Sequence, residues 1–315
     1  VLSLGQAGAR AGQAEFVTWI GIGPDKWASA WLIQRHVSPG ARIRFIEPGT
    51  TPTRGTAFDI PEVPPFIRDS RRTTFESLLA GYQVEDAVLA EIATAVHDIE
   101  VNFWGGGRSP VAPFLEQAFR GLQFHYGREN VPQTCYFELF DALYAYLQAN
   151  PEPVAGEALE QELAHDPRCG SVNRVTVEDD RKYVAEWHPD EILHFIGAGD
   201  RVVFVDTRER GEFEEGHIPG AVNIKLRDLG GQLPAELRGA EVVVPYCVKD
   251  FRGFEVAKRL KRLGAQTVGL MNPYGISGWK ARGLPVVGSR GLNKQEGAQR
   301  LRSCVEQPAV CIQDG

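Results

Sequence analysis

Val242-Val-Val-Pro-Tyr-Cys-Val-Lys-Asp-Phe-Arg-Gly253 is an apolar run that ends in a cysteine and a short charged stretch, followed at once by the amphipathic segment Phe254 to Leu263. A continuous apolar run of this length suits a strand covered on both faces, and such strands belong to parallel sheets. Two more runs have the same texture, Val202-Val-Phe-Val-Asp206 and Thr267-Val-Gly-Leu-Met271, and helical spacing alternates with them at Asp190 to Phe195 and Phe254 to Leu263. The second half therefore reads as α/β. In such sheets ligands bind beyond the carboxyl ends of the strands, which is where Cys247 falls. A helix N-terminus just past it, with Lys249 and Arg252 nearby, predicts a lowered thiol pKa and a bound anion.

Working outward, Phe16-Val-Thr-Trp-Ile and Arg42 to Ile46 read as strands. Asp25 to His36, Thr73 to Leu79, Glu85 to Val96, Pro113 to Gln123 and Thr134 to Leu147 read as helices. Prolines, glycines and acids from Asn150 to Glu178 predict a linker, with one short helix at Glu157 to Ala164. The segment after Gly288 lacks a clear apolar stripe. The expected division is residues 1–150, a linker at 151–182, a second domain at 183–288 and a tail at 289–315.

The chain has 315 residues, a net charge of −7, 43% hydrophobic and 24% charged residues, the chemistry of folded domains rather than of disorder or coiled coil. No apolar stretch approaches the roughly 20 residues that span a bilayer, so no membrane partner is expected. Val1 to Glu15 lack the apolar core of an export signal. The acidic balance argues against a broad nucleic-acid surface. Cys135, Cys169, Cys247, Cys304 and Cys311 are too scattered for a disulfide scaffold, which predicts a reducing, cytoplasmic setting in which the four besides Cys247 are small buried hydrophobes.

Two further stretches make a family resemblance specific. Val205-Asp-Thr-Arg-Glu-Arg-Gly-Glu-Phe-Glu-Glu-Gly-His-Ile-Pro-Gly-Ala-Val-Asn223 resembles the first signature of the rhodanese (sulfurtransferase) fold, and Gly278-Trp-Lys-Ala-Arg-Gly-Leu-Pro-Val286 its terminal signature. With the cysteine loop they cover about Tyr183 to Gly288. The resemblance implies Cys247 as the catalytic residue, with Val248, Lys249, Asp250, Phe251, Arg252 and Gly253 as the loop that cradles its sulfur. Asp206, Arg208 and His217 would be supporting residues. The arginine stands five positions after the cysteine, as in the family's sulfurtransferases; the related phosphatases have one more residue. The implied chemistry is a Cys247 persulfide filled by a small-molecule or protein sulfur donor and emptied by a thiol acceptor, with Lys249 and Arg252 holding an anionic donor and no organic cofactor. Asp250 in the loop, and Val248 where many members carry a cation, disfavour thiosulfate itself.

The first half resembles the chromate-resistance domain of the ChrB type, through Phe16-Val-Thr-Trp-Ile, Lys26-Trp-Ala-Ser-Ala-Trp-Leu-Ile-Gln-Arg-His36, Ala57-Phe-Asp-Ile60, Thr73-Thr-Phe-Glu-Ser-Leu-Leu79, Val96-His-Asp-Ile-Glu100 and Asp141-Ala-Leu-Tyr144. This implies a role in chromate, metal or sulfur stress. Where that family has Ser-His-Arg-Gly, this chain reads Phe66-Ile-Arg-Asp-Ser-Arg-Arg72. His97 and Asp98 are weak metal candidates, about 100° apart on one helix, with Glu100 behind them. Arg68, Arg71 and Arg72 read as a solvated loop, with an anion cluster of Lys26, Arg35, Arg42, Arg71 and Arg72 as a lesser alternative. Gly105-Gly-Gly107 lacks the Lys-Ser/Thr of a phosphate loop.

The expected fold class is thus two-domain: a mainly helical N-terminal α+β domain, then a C-terminal α/β rhodanese-like parallel sheet with helices on both faces. Two rivals stand beside sulfur transfer. One is an oxyanion or redox sensor that uses Cys247 without turnover. The other is oxyanion reduction through Cys247 and a second cysteine among Cys169, Cys304 and Cys311.

Overall fold

The computed structural model describes residues 13–102, 104–151, 159, 169 and 184–311. The expected linker and its Glu157 to Ala164 helix lie almost entirely outside these residues, as do residues 1–12. No described helix is long and apolar enough to cross a membrane.

The first half is built on a three-stranded parallel sheet, β1 (Glu15–Trp19) between β2 (Arg42–Ile46) and β3 (Thr56–Ala57). β1 is central and buries Phe16, Val17, Thr18 and Trp19 in succession, as a strand covered on both faces must. α1 (Pro24–Leu32) starts on a proline, whose missing N–H costs nothing in a first turn, and ends in a π turn at Ile33–Val37. α2 (Thr74–Gly81) opens on a Thr73–Glu76 capping box, and the Asp86 side chain caps α3 (Ala87–Glu100). α4 (Ala112–Tyr126) and α5 (Gln133–Ala149) complete the layer. Tyr136 stacks on Trp27 at 4.6 Å and on Phe119 at 4.7 Å, tying α1, α4 and α5 together.

The second half is α/β. β4 (Ala185–Trp187) leads into α6 (Pro189–Ala198), then β5 (Val202–Asp206), α7 (Arg210–Glu215) and β6 (Val222–Asn223). β7 (Val242–Tyr246), α8 (Phe251–Arg262), β8 (Gly269–Met271), α9 (Gly275–Ala281) and α10 (Lys294–Glu306) follow. β5 pairs in parallel with β6 and β7, β4 pairs with β8, and a Val243–Val268 bridge joins the two pieces. The segment after Gly288 is not without structure. Asn293 caps α10, whose Gly297 passes so near Val287 that a Cβ would meet its side chain at 2.0 Å.

One core spans the two halves, beside a second around Phe204 and Trp279 that belongs to the second half. A single apolar cluster runs from Phe16, Trp31, Phe119 and Tyr136 to Val205, Phe251, Phe254, Val256 and Leu260, and Phe119 meets Phe251 edge to face at 6.3 Å. Burying each of these aromatic rings contributes about 1.5–3 kcal/mol.

The four cysteines expected to be plain buried hydrophobes are paired instead, Cys135 with Cys169 and Cys304 with Cys311. Sequence spacing hid both bonds. The first is a contact made only by tertiary folding, and the second closes a seven-residue span at the end of α10. Cys247 is the free cysteine among the described residues, so a second cysteine reaching it to complete an oxyanion reduction is not present there.

Candidate active site

β7 delivers Cys247 to the carboxyl edge of the sheet, and Tyr246 just before it is fixed by the Thr207 N–H and hydroxyl, which donate to its carbonyl at 2.9 and 3.0 Å. Val248 to Asp250 then turn directly into α8. The turn is braced from behind by the start of α9. The Ile276 N–H donates to the Cys247 carbonyl at 2.9 Å and the Ser277 N–H to the Val248 carbonyl at 3.1 Å. Gly275, with φ +63°, fits there because a Cβ would lie 1.9 Å from the Lys249 carbonyl oxygen. Gly253 is constrained in a different way, since α8 passes so close to β7 that its Cβ would sit 3.2 Å from the Tyr246 Cα. These contacts direct the Gly253 N–H to the Cys247 sulfur.

Every charged side chain of the loop is engaged, mostly by the first half of the chain. Lys249 Nζ pairs with Glu116 at 2.9 Å. Asp250, 1% exposed, forms an ion pair with Arg120 at 2.7 Å and accepts from Arg128. The Arg120 guanidinium also lies 3.7 Å over the Tyr274 ring. Arg252 is held by Glu212 at 3.0 Å and donates to the Glu100 carbonyl oxygen at 2.6 Å. Lys249 and Arg252 are therefore not open cations awaiting an anionic donor, and Asp250 does not face one. Phe251 is buried against Phe119.

Burial also reverses the expected ionisation of the thiol. Cys247 is 2% exposed, and its pKa is pushed up to about 11. Burial is the largest cause, with the Glu100 and Asp250 carboxylates adding to it; the Arg252 guanidinium and the Gly253 N–H act the other way without overcoming it. Alkylation of Cys247 by iodoacetamide, followed by intact mass, is expected to accelerate through a midpoint near 11 rather than the ordinary 9.0. Between those values the folded chain keeps a proton that the unfolded chain has lost, so this group's contribution to stability falls as pH rises across that window. A midpoint at or below 9.0 would show a site open to solvent.

The supporting residues are placed by the second half alone. Arg208, 1% exposed, forms a two-pronged pair with Asp206 at 3.0 and 2.6 Å and donates to the Gly216 carbonyl, tying the end of β5 to the turn before His217. His217 Nδ1 donates to the Phe213 carbonyl at 2.7 Å, and its ring stacks on Phe213 at 3.7 Å. Burial holds its pKa below the usual histidine value. It lines a groove beneath Leu301 and Val305 of α10, away from the cysteine loop.

In the first half, the two metal candidates are occupied separately. His97 bonds to Glu76 at 3.0 Å, while Asp98 accepts from the Ser109 N–H and Asn102 at 2.8 Å and organises the Gly105–Gly107 turn. No cluster of three or more His, Cys, Asp or Glu side chains suited to a metal occurs among the described residues. Arg68 is not in a solvated patch. It is buried against Asp25 at 2.6 Å and Glu100 at 3.1 Å. The anion cluster does not assemble either, because Lys26 pairs with Asp59 and Arg35 with Asp141, while Arg42, Arg71 and Arg72 are exposed. The residues that sequence reasoning missed are Glu116, Arg120 and Arg128. Glu116 and Arg120 stand four apart on α4, a spacing that on sequence alone reads as an ordinary surface pair.

Residues 16–147 match the family described as "ChrB, C-terminal domain", and residues 188–282 match "Rhodanese-like domain". A 97-residue stretch is 37% identical to the HTH-type transcriptional regulator Rv0324 of Mycobacterium tuberculosis, covering 30% of this chain and 42% of that protein. Another comparison, with the uncharacterized protein YibN of Escherichia coli K12, gives 32% identity over 100 residues, 31% of this chain and 68% of that protein. The chain thus spans less than half the length of the mycobacterial relative. Among solved structures, an uncharacterized protein from Saccharomyces cerevisiae aligns at 22% identity and a TM-score of 0.27, over 32% of this chain and 93% of that one. The BH2092 protein from Bacillus halodurans does so at 22% and 0.28, over 36% and 89%.

Proposed function

We propose that this chain, which belongs to the rhodanese-like proteins through residues 188–282 and carries a ChrB C-terminal domain at residues 16–147, is a sulfurtransferase that carries sulfur on Cys247. The supporting observation is the placement of a free cysteine at the end of β7. The start of α8 lies ahead of it, the Gly253 N–H points at its sulfur, and Arg252 stands five positions on. In this reading the Cys247 thiolate attacks the transferable sulfur of a donor, the bond that holds that sulfur breaks (sulfur–sulfur in thiosulfate or a persulfide, carbon–sulfur in 3-mercaptopyruvate), and the leaving group, sulfite, a thiolate or the pyruvate enolate, departs with the electron pair. An acceptor thiolate then attacks the outer sulfur of the Cys247 persulfide and releases the Cys247 thiolate. The match to the ChrB C-terminal domain supports a chromate or related stress setting for this chemistry.

A sensor reading has its own support in the burial of Cys247 under charges from the first half. Intact mass after incubation with thiosulfate, 3-mercaptopyruvate and a persulfide donor separates the two. Sulfur transfer predicts a gain of one sulfur that cyanide removes. No gain from any donor, with the thiol still open to alkylation, would favour the sensor.

A further inference from the structure

Beneath α10 runs a groove of about 950 Å³, none of whose lining residues belongs to the cysteine loop. Its volume is that of a small-molecule site, for which about 300–1,000 Å³ is usual. Ile196, Phe213 and Pro219 form its floor, and Leu301 and Val305 of α10 its roof. The roof is fixed on both sides of the opening. Gly297 lies against Val287 near the start of the helix, and near its end Cys304 is buried in the core of the second half, while a Cβ on Gly197 would come within 3.3 Å of Val305 Cγ1. The space is therefore built into the packing of α10 on the domain.

One buried polar side chain faces this apolar surface. His217 lines the groove and is 9% exposed. Its Nδ1 donates to the Phe213 carbonyl at 2.7 Å, which fixes the ring proton on that nitrogen and leaves the lone pair on Nε2. Nε2 has no hydrogen-bond partner among the described residues. Burial holds the imidazole below its ordinary pKa and so favours this neutral form. The charged side chains stand exposed at the rim, Lys294 and Arg302 against Glu214 and Glu306, two of each sign. The interior thus offers apolar area, one acceptor and no net charge. An ion entering it would lose hydration without gaining a counter-charge, whereas a neutral molecule with one donor would satisfy the imidazole. Phe213, whose ring stacks on His217 at 3.7 Å, makes part of the floor aromatic and suits a flat ring.

We propose that this groove binds a neutral phenol-type molecule, with its ring between α10 and Phe213 and its hydroxyl donating to His217 Nε2. The site is independent of the reading of Cys247 as a sulfur carrier.

Calorimetry on the full chain near neutral pH tests it, comparing 1-naphthol with 1-methoxynaphthalene, which has the same rings and no donor. Wild type is expected to bind the phenol about tenfold more tightly than the ether, the effect of one buried hydrogen bond. His217→Phe, which keeps a ring beside Phe213 but has no acceptor, is expected to bind the two alike. Ala298→Trp, which fills the groove from its roof, is expected to bind neither. Because His217→Phe also gives up the bond to the Phe213 carbonyl, nitrogen NMR on the wild-type chain supplies an independent readout. There 1-naphthol is expected to shift the His217 Nε2 resonance and 1-methoxynaphthalene to shift it far less. Equal affinity for the two probes in wild type, binding of neither, undiminished phenol binding in Ala298→Trp, or an Nε2 resonance that 1-naphthol leaves in place would each overturn the proposal.

Discussion

Cys247→Ser is expected to leave a folded chain that gains no sulfur from thiosulfate, 3-mercaptopyruvate or a persulfide donor, with transfer reduced by about a thousandfold or more. Serine is close to cysteine in size, and at a position 2% exposed it leaves the packing of β7 against α8 intact. Its hydroxyl cannot hold a sulfane sulfur. The other four cysteines are paired in disulfides, so none of them offers a substitute thiol. Intact mass before and after donor treatment, beside thermal denaturation, checks both halves of the expectation. Undiminished sulfur gain in the variant would place the carrier elsewhere.

Asp250→Ala is expected to cause the largest loss of stability. Asp250 is the junction between the halves, held by Arg120 and Arg128 and 1% exposed. Deleting it removes the buried partner shared by two guanidiniums and leaves Arg120 with Glu116 and Arg128 with Glu186, and breaking a buried pair costs about 3–5 kcal/mol. For a chain of this size the melting temperature should fall by on the order of 10 °C. The seam over the cysteine loop should also loosen, so Cys247 should alkylate faster near neutral pH. Burial alone would raise the Asp250 pKa, but the Arg128 and Arg120 guanidiniums overcome this and hold it below its ordinary 3.8. Its contribution is therefore complete above 3.8 and disappears as pH falls through the lower folded value. A melting curve unchanged by the substitution would mean that the pair does not hold the seam.

The sheet of the second half was legible because its strands are nearly uninterrupted apolar runs. Val202–Asp206 has the observed bounds of β5, and the run that opens at Val242 starts where β7 does. Helices of the first half were found by their period, but several ends ran past the expectation. α3 continues to Glu100 because Asp98 and Glu100 are buried there, Asp98 bonded to the turn that follows the helix and Glu100 to Arg68. The cysteine and its loop could be read from local order alone. What covers them could not, because Glu116, Arg120 and Arg128 act on residues more than a hundred positions away, and nothing local separates a charge facing a partner from one facing water. The inversion of the thiol's ionisation follows from that covering, as does the error over the cysteine pairs, since both depend on contacts that exist only once the halves have met.

The apolar cluster that passes from Phe119 into Phe251 and Phe254 bears on how such a protein can be inherited. A module that has sealed its surface onto a neighbour is no longer interchangeable. Recombination that moved residues 188–282 to another chain would carry along a bare aromatic face and two charges of the cysteine loop, Lys249 and Asp250, whose counterions stayed behind. The fusion acts as a ratchet: once this seam had been optimised, the two pieces could go on changing only as a pair.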